Sequence, residues 1–263
     1  MTKPELPPNF PGDARRQAAS IIPPHPIMQD YYADETERQA CILQLFNASA
    51  RHYDRINQLM SFGTGYRYRR QALLRAGLTD SMSLLDVGCG TGVLAHYAAR
   101  IVGPLGWVVA LDPSSSMLYE ALQRRVRCVV QGVAESLPFA DNSFDMLSMG
   151  YALRHVTDLY MTFREYMRVL KPGGVVLLLE ITPPQSRGLY LLLKLYLKFI
   201  VPAMTMLYTP NRDVQVLLSY NWDTIEWRVP PSTIMEVLRC VGFEQVHCQV
   251  MYGIFSEYTA RKV

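Results

Sequence analysis

The stretch that decides the fold is SLLDVGCGTG, residues 83–92. It begins as a short apolar run typical of a buried strand, and after Asp86 it carries three glycines at alternate positions. Because glycine adopts positive φ at little cost and allows close approach to the backbone, we predict a ligand-binding loop at the end of this strand. The G-x-G-x-G spacing alone fits any Rossmann-like site, whereas dinucleotide-binding proteins prefer G-x-G-x-x-G.

Strands and helices alternate after this loop. WVVALD, VRCVVQG, FDMLSMG and VVLLLEI are further β-like runs, and stretches with helical patterns separate them, among them PSSSMLYEALQRR and TDLYMTFREYMRVL. This alternation predicts right-handed βαβ units and a parallel sheet. Near the C-terminus, EQVHCQV and SEYTARKV are joined by a short connection, which predicts an antiparallel hairpin at one edge of the sheet.

The composition limits the classes of protein to which the chain can belong. It has 263 residues, 49% of them hydrophobic, which suits one domain with a sizeable core. A net charge of +3 is too weak to indicate a nucleic-acid-binding protein. Five widely spaced cysteines include no CxxC pair, so we expect neither a disulfide framework nor a zinc site, and a reducing, intracellular compartment.

Five regions follow from these patterns. Residues 1–33 are rich in proline and polar residues and lack the apolar run of a signal peptide, so we expect a flexible leader. We then predict N-terminal helices over 34–80, a ligand-binding core over 81–182, an apolar insertion over 183–230, and a helix and hairpin over 231–263 that complete the core.

The insertion contains LYLLLKLYLKFIVPAMTML, residues 189–207, which we call the apolar segment. Its length approaches the roughly 20 residues of a membrane span. However, Lys194 and Lys198 interrupt it on one helical face, and Pro202 is expected to break the helix. We therefore expect a helix that docks at a membrane surface or covers an apolar substrate, with a buried core helix as the alternative.

Two residues that lie C-terminal to the glycine loop, Gly88–Gly92, indicate that the ligand is a nucleoside. Asp112 ends the second strand, where a carboxylate can accept hydrogen bonds from both ribose hydroxyls, and Met117 can pack on an adenine face. The chain has no GKS or GKT element, so it is not a P-loop phosphate-binding protein.

These residues resemble the class I S-adenosylmethionine-dependent methyltransferases, over about 34–263. FNASARHYDRINQLMSFG, AESLPFADNSFDMLSMGYALRHVTDL and RVLKPGG are similar to the motifs of UbiE-type quinone and menaquinone C-methyltransferases. The resemblance implies an α/β fold with a seven-stranded, mostly parallel sheet, an antiparallel C-terminal hairpin and a helical substrate lid. It also implies that Asp86, Gly88 and Gly90 border the methionine part of the cofactor and that Asp112 holds its ribose.

Val133 is the first departure from the family pattern, which usually has an aspartate that binds the adenine amino group. Valine cannot accept that hydrogen bond, so the adenine must find another acceptor, keep a water, or leave a group unpaired at a cost of about 1–3 kcal/mol. The backbone N–H of Ala134 can still contribute to binding.

Two further departures lie elsewhere. TGYRYRR, residues 64–70, stands where the family has a His-Arg and a Trp, and Leu153-Arg154-His155 replaces Leu-Arg-Asn. His155 is either a residue that exchanges protons near neutral pH or a turn histidine with a satisfied hydrogen bond. Tyr151 is a substrate wall or a core aromatic, and Arg154 lines the site by resemblance. We take Tyr151, Arg154 and His155 as the candidate catalytic residues.

Two reactions on a lipid quinone are consistent with this resemblance. Proteins of the RquA type, in rhodoquinone biosynthesis, replace a methoxy group of ubiquinone with the amino group of S-adenosylmethionine, in chemistry associated with manganese. GVAE, YALRHV and YNWDTIE are similar to that branch, and we favour it on these residues. The alternatives are an ordinary quinone C-methyltransferase and an inactive cofactor-binding partner in a quinone-biosynthesis assembly.

We expect peripheral contact, through 189–207, with the cytoplasmic or mitochondrial-matrix face of the inner membrane. No metal ligands are assigned.

Overall fold

The computed structural model describes residues 21–61 and 63–263. Within these residues the core is one seven-stranded sheet of order β3-β2-β1-β4-β5-β7-β6. Strands β1 to β5 run parallel, and β7 is antiparallel to both β5 and β6, which confirms the predicted sheet and its C-terminal hairpin. The strands are β1 Ser83–Val87, β2 Trp107–Asp112, β3 Cys128–Gln131, β4 Phe144–Gly150, β5 Leu170–Ile181, β6 Glu244–Met251 and β7 Phe255–Arg261.

Helices cover both faces of the sheet and its carboxyl edge. They are α1 Glu35–Met60, α2 Gly65–Arg75, α3 Val93–Val102, α4 Ser115–Gln123, α5 Leu159–Val169, α6 Arg187–Leu195, α7 Val201–Tyr208, α8 Arg212–Trp227 and α9 Pro231–Val241. Alternate residues of each strand face opposite sides. Accordingly, Leu85 packs in one cluster with Phe163 of α5 and Leu238 of α9, whereas Leu84 packs in the other with residues of α2 and α3.

The apolar segment forms one bent helix together with its neighbours. A widened π-helical turn, Tyr196–Ile200, joins α6 to α7, and the N–H of Val201 donates to the carbonyl oxygen of Tyr196. The expected break at Pro202 does not occur, because the widened turn lies directly before the proline and accommodates its missing N–H. The helix Arg187–Tyr208 is, by length and composition, apolar enough to cross a membrane.

The two lysines of this helix form ion pairs with α8. Lys194 Nζ lies 2.8 Å from Glu226 Oε1, and Lys198 Nζ lies 3.3 Å from Asp223 Oδ1, both on α8. The ion pairs orient the helix, so that its other face is the exposed one. Leu192 is 61% exposed and Leu207 83%.

Residues 21–33, which the sequence places in a flexible leader, differ from that expectation. His25, Met28 and Tyr32 are buried, and the carbonyl oxygen of Ile22 accepts from the N–H of Leu159 at 2.9 Å. Apolar and aromatic side chains at this spacing pack on α1 and α8, which the local proline content does not reveal. Residues 1–20 lie outside the described residues.

Candidate active site

One cavity of about 1090 Å³ opens at the carboxyl edge of the sheet. The structure brings every predicted site residue to its wall: Asp86, Gly88, Gly90, Asp112, Met117, Val133, Ala134, Tyr151, Arg154 and His155. The carboxyl ends of parallel strands are where ligands bind in open α/β sheets. The cavity is therefore the candidate active site.

Asp112 is held by the glycine loop itself. Its Oδ2 accepts from the N–H of Gly90 at 2.8 Å and its Oδ1 from the N–H of Ser114 at 2.9 Å. Burial raises the pKa of Asp112 to about 6, although these two hydrogen bonds oppose the shift. A carboxylate has about four lone-pair directions, so acceptor capacity remains for a ligand.

Asp86 is occupied within the protein. Its two carboxylate oxygens accept from the hydroxyl of Ser148 at 2.8 Å and from the N–H of Ala95 at 3.0 Å. Burial raises its pKa to about 7. Asp86 therefore fixes the start of α3 against β4. Beside it, Gly88 has φ +63°, and a Cβ built there would lie 2.6 Å from Cβ of Ala152, so only glycine fits.

Asp54 of helix α1 holds the glycine loop in place through polar contacts. Asp54 accepts from the hydroxyl of Thr91 at 2.6 Å and forms an ion pair with Arg124, whose Nε donates to the carbonyl oxygen of Thr91. Tyr53, next to Asp54, lines the cavity. Sequence reasoning did not assign these two residues, although both stand in the FNASARHYDRIN stretch that carries the resemblance.

The predicted adenine end is apolar. Met117 and Ala134 are buried, while Val133 is 47% exposed at the cavity wall. The neighbouring carboxylate, Glu135, is engaged elsewhere, since it accepts from the N–H of Thr157. The side chain at 133 thus offers no acceptor at this end.

The turn at Leu153–His155 is fixed from two sides. Arg154 Nη1 lies 2.7 Å from Glu180 Oε2 in a buried ion pair, and Glu180 also accepts from the N–H of Leu153. Arg38 of α1, itself buried, donates to the carbonyl oxygens of Arg154 and Val156. Arg154 is therefore a structural anchor of the wall, with its charge neutralised by Glu180.

His155 is neutral in this environment. Burial and the charge of Arg154 lower its pKa well below the ordinary value, which argues against proton exchange near neutral pH. Its ring stacks on Tyr220 at 5.6 Å and meets Phe46 edge-on at 5.1 Å. Its Nδ1 is buried without a hydrogen-bond partner among the described residues, so Nε2 is the nitrogen through which it can meet a ligand.

Tyr151 has a left-handed backbone conformation, with φ +63°, which is uncommon for a residue with a side chain. Its N–H donates to the carbonyl oxygen of Leu179 at 2.7 Å, which keeps the chain in place. Burial raises the pKa of its hydroxyl to about 12, so the phenol is protonated. Backbone strain of this kind concentrates at functional sites.

Elements outside the glycine loop add apolar side chains to the cavity wall. Leu193 and Leu197, on the inward face of the apolar segment, line it together with Ile181 and Phe255. Asn221 of α8, which sequence reasoning missed, also lies on this wall, and its Oδ1 has no hydrogen-bond partner among the described residues.

Two acidic residues of α8 are engaged within the protein and not at the cavity. Asp223 and Glu226 lie in the C-terminal half of the helix, and they do not line the cavity. Glu226 binds Lys194, and Asp223 accepts from Tyr31 as well as binding Lys198. Among residues 21–61 and 63–263 no group of three His, Cys, Asp or Glu could hold a metal ion, so manganese has no support here.

Proteins of known family match most of the chain. The Ubiquinone/menaquinone biosynthesis C-methyltransferase UbiE of Shewanella halifaxensis is 34% identical over 225 residues, which are 82% of this chain and 88% of that protein. The protein of the same name from Legionella pneumophila strain Paris is 32% identical over 228 residues, 84% of this chain and 90% of that protein. The profile of the ubiE/COQ5 methyltransferase family matches residues 33–262. The chain belongs to this family.

Solved structures agree with the ubiE/COQ5 assignment at the level of the fold. A methyltransferase from Thermotoga maritima matches with a TM-score of 0.57 at 21% identity, covering 84% of this chain and 99% of that one. Another from Methanococcus maripaludis gives 0.57 at 20% identity, covering 82% and 93%. Phosphoethanolamine N-methyltransferase 2 of Haemonchus contortus, in complex with S-adenosyl-L-methionine, gives 0.55 at 17% identity, covering 74% and 52%. The fold is that of class I S-adenosylmethionine-dependent methyltransferases.

The cavity fits the cofactor of this ubiE/COQ5 family. Asp112 retains acceptor capacity, Gly90 leaves room for close approach because a Cβ there would meet only Tyr53 at 3.9 Å, and the wall at Met117 and Ala134 is apolar. The cavity continues beyond these residues to Leu193 and Leu197, so it has space for a second molecule.

Proposed function

We propose that the protein transfers a group from S-adenosylmethionine to the ring of a lipid quinol, and that C-methylation is the best supported reaction. The observation that carries the proposal is that one cavity is lined both by the glycine loop and by the apolar side chains of Leu193 and Leu197. The glycine loop fits a nucleoside, and the apolar side chains fit an apolar chain attached to a ring. The names of the curated relatives support C-methylation.

The protein contributes positioning above all. In methyl transfer, the cofactor supplies an electrophilic methyl group when bound. The chain must hold an electron-rich ring carbon in line with that group and exclude water. Asp112 would hold the ribose, and Val133, Ala134 and Met117 would surround the adenine. Asp86, Gly88 and Gly90 would shape the methionine end.

Three residues would line the part of the cavity that holds the quinol ring. The Tyr151 side chain supplies a wall, Arg154 keeps the 153–155 turn in place through Glu180, and His155 presents a neutral imidazole. A neutral imidazole can accept a hydrogen bond from a quinol hydroxyl, which increases electron density in the ring. Asn221 Oδ1, which has no partner among the described residues, suits a second hydroxyl donor. These features favour the reduced quinol over the quinone.

Product analysis tests the proposal. The purified protein is incubated with S-adenosylmethionine and a short-tailed demethylquinol, and the lipid is analysed by mass spectrometry. We expect one added methyl group, and we expect Asp112→Asn to abolish it. A protein that binds the cofactor but leaves every quinol unchanged would contradict the proposal and favour an inactive partner in a quinone-biosynthesis assembly.

A second candidate is amino transfer to ubiquinone in rhodoquinone biosynthesis, with or without manganese. The observation that favours it is Val133, because the usual carboxylate is absent from an otherwise intact pocket. If the adenine is bound differently, the cofactor can direct its amino group, and not its methyl group, at the quinone ring. Ubiquinone incubated with S-adenosylmethionine, with and without manganese, would then exchange a methoxy for an amino group.

The outward face of the apolar segment is proposed to contact a membrane. Leu192, Phe199 and Leu207 are exposed, while the inward Leu193 and Leu197 line the cavity. A helix with these two faces could receive a prenyl tail directly from the bilayer. We therefore propose peripheral attachment at the cytoplasmic or mitochondrial-matrix face of the inner membrane.

A further inference from the structure

Arg69 of α2 is a cation in the cavity wall that the proposed function has not used. Its guanidinium carbon lies 4.8 Å from the centroid of the Tyr151 ring. Within residues 21–61 and 63–263 it forms no ion pair and no hydrogen bond, whereas Arg154 on the same wall is neutralised by Glu180. Arg69 is half-buried. A partly desolvated guanidinium without a counter-charge favours an anionic ligand.

Asp86 and Asp112, two carboxylates of the cavity wall, are unsuited to be that counter-charge. The positive charge of Arg69 acts on Asp86 and favours its ionised form, although burial is the larger influence and raises the pKa. Both oxygens of Asp86 are already engaged with Ser148 and Ala95. Asp112 is likewise held by Gly90 and Ser114. The five N–H donors of Arg69 are thus left for a molecule in the cavity.

The local backbone keeps this space free. A Cβ built on Gly65 would lie 2.7 Å from Nη1 of Arg69, so a side chain at position 65 would push the guanidinium away. The Tyr151 ring supports the guanidinium from below, and stacking on an aromatic face is a favoured arrangement for arginine. Tyr151 precedes Ala152, whose Cβ lies beside Gly88, so Arg69 lies on the Gly88 side of the cavity, where the resemblance places the methionine part of the cofactor.

We propose that Arg69 binds the carboxylate of the methionine part of S-adenosylmethionine and so fixes that end of the cofactor. This rests on the proposed function. The cofactor has one carboxylate, at the end opposite its adenine, and a guanidinium fork binds a carboxylate through two parallel hydrogen bonds. Asp112 and Arg69 then hold opposite ends, and the reacting group between them is aligned.

A comparison of two ligands tests this assignment by calorimetry. The wild type and Arg69→Gln are titrated with S-adenosylmethionine and with its decarboxylated analogue, which keeps the sulfonium and the nucleoside. We expect the wild type to bind the cofactor roughly tenfold to a hundredfold more tightly than the analogue, which is the range for a charged hydrogen-bonded pair. Arg69→Gln should lose this preference while binding the analogue as the wild type does.

Two further variants provide controls. Arg70→Gln removes an exposed cation one residue along the same helix, outside the cavity wall, and should keep the full preference. Arg69→Lys keeps the positive charge but lacks the two-pronged guanidinium, so it should retain part of the preference for the cofactor over the analogue. Thermal melting confirms that each variant is folded.

Two results would overturn the assignment. A preserved preference in Arg69→Gln would show that the carboxylate binds elsewhere, and an equal loss of affinity for both ligands would show a structural role. If the wild type bound neither ligand, the proposed function itself would fail, and the assignment with it.

Discussion

At the scale of single residues, Asp112 decides how cofactor binding depends on pH. Burial raises its pKa to about 6, and only the ionised carboxylate can accept from two ribose hydroxyls. Protonation competes with binding, so affinity falls as the pH falls through 6. We expect S-adenosylmethionine to bind about tenfold more weakly near pH 5 than near pH 8, measured by calorimetry. Asp112→Asn, titrated in parallel, should bind the cofactor weakly and should not show this loss of affinity at low pH. If the variant and the wild type had the same pH profile, Asp112 would not be the group that controls binding.

Val133 is the second residue that can be tested alone. Val133→Asp restores a carboxylate at the predicted adenine end, where we expect it to tighten cofactor binding by about tenfold, the effect of one charged hydrogen bond. Val133→Leu keeps the site apolar and serves as the matched control. If the aspartate variant binds no more tightly than the leucine variant, the adenine amino group does not face position 133. An unchanged product in Val133→Asp would show that the valine does not determine the reaction.

At the scale of elements, the buried Arg154–Glu180 pair joins the 153–155 turn to β5. Glu180→Gln leaves a buried guanidinium without its counter-charge, which should lower the free energy of unfolding by about 3 kcal/mol in urea denaturation. Asp141→Asn removes the exposed partner of Arg168 and should change it by less than about 1 kcal/mol. Equal losses in the two variants would contradict the structural role of the buried pair.

The two faces of the apolar segment can be separated by vesicle sedimentation. Leu192→Glu combined with Phe199→Glu places charges on the exposed face and leaves the cavity wall intact. We expect binding to anionic lipid vesicles to fall by at least about tenfold, since each apolar side chain contributes about 1.5–3 kcal/mol when buried. Leu105→Glu, at a position 81% exposed between α3 and β2, is the control. Unchanged vesicle binding would exclude this face as the membrane contact.

At the scale of the whole molecule, the sequence was most informative where the pattern is local. The run from Ser83 to Gly92 predicted a strand and a ligand-binding loop, and the alternation after it predicted the sheet. Contacts between distant segments were not predictable, because they depend on which helix faces which. The pairing of Lys194 with Glu226, and the packing of 21–33, are of this kind. For the site, glycine and aspartate positions were readable, whereas Arg69 and Asn221 became candidates only once α2 and α8 were placed around the cavity.

We propose that one cavity joins a nucleoside site to a quinol site for group transfer, with methyl as the transferred group. The most direct measurement uses S-adenosylmethionine labelled with ¹³C in the methyl group and ¹⁵N in the amino group. The protein is given this cofactor with demethylquinol and ubiquinone together, with and without manganese, and the lipids are analysed by mass spectrometry. We predict ¹³C in the methylated quinol and no ¹⁵N in either lipid. Transfer of ¹⁵N to the ubiquinone ring without ¹³C in any lipid would contradict methylation and establish amination in its place.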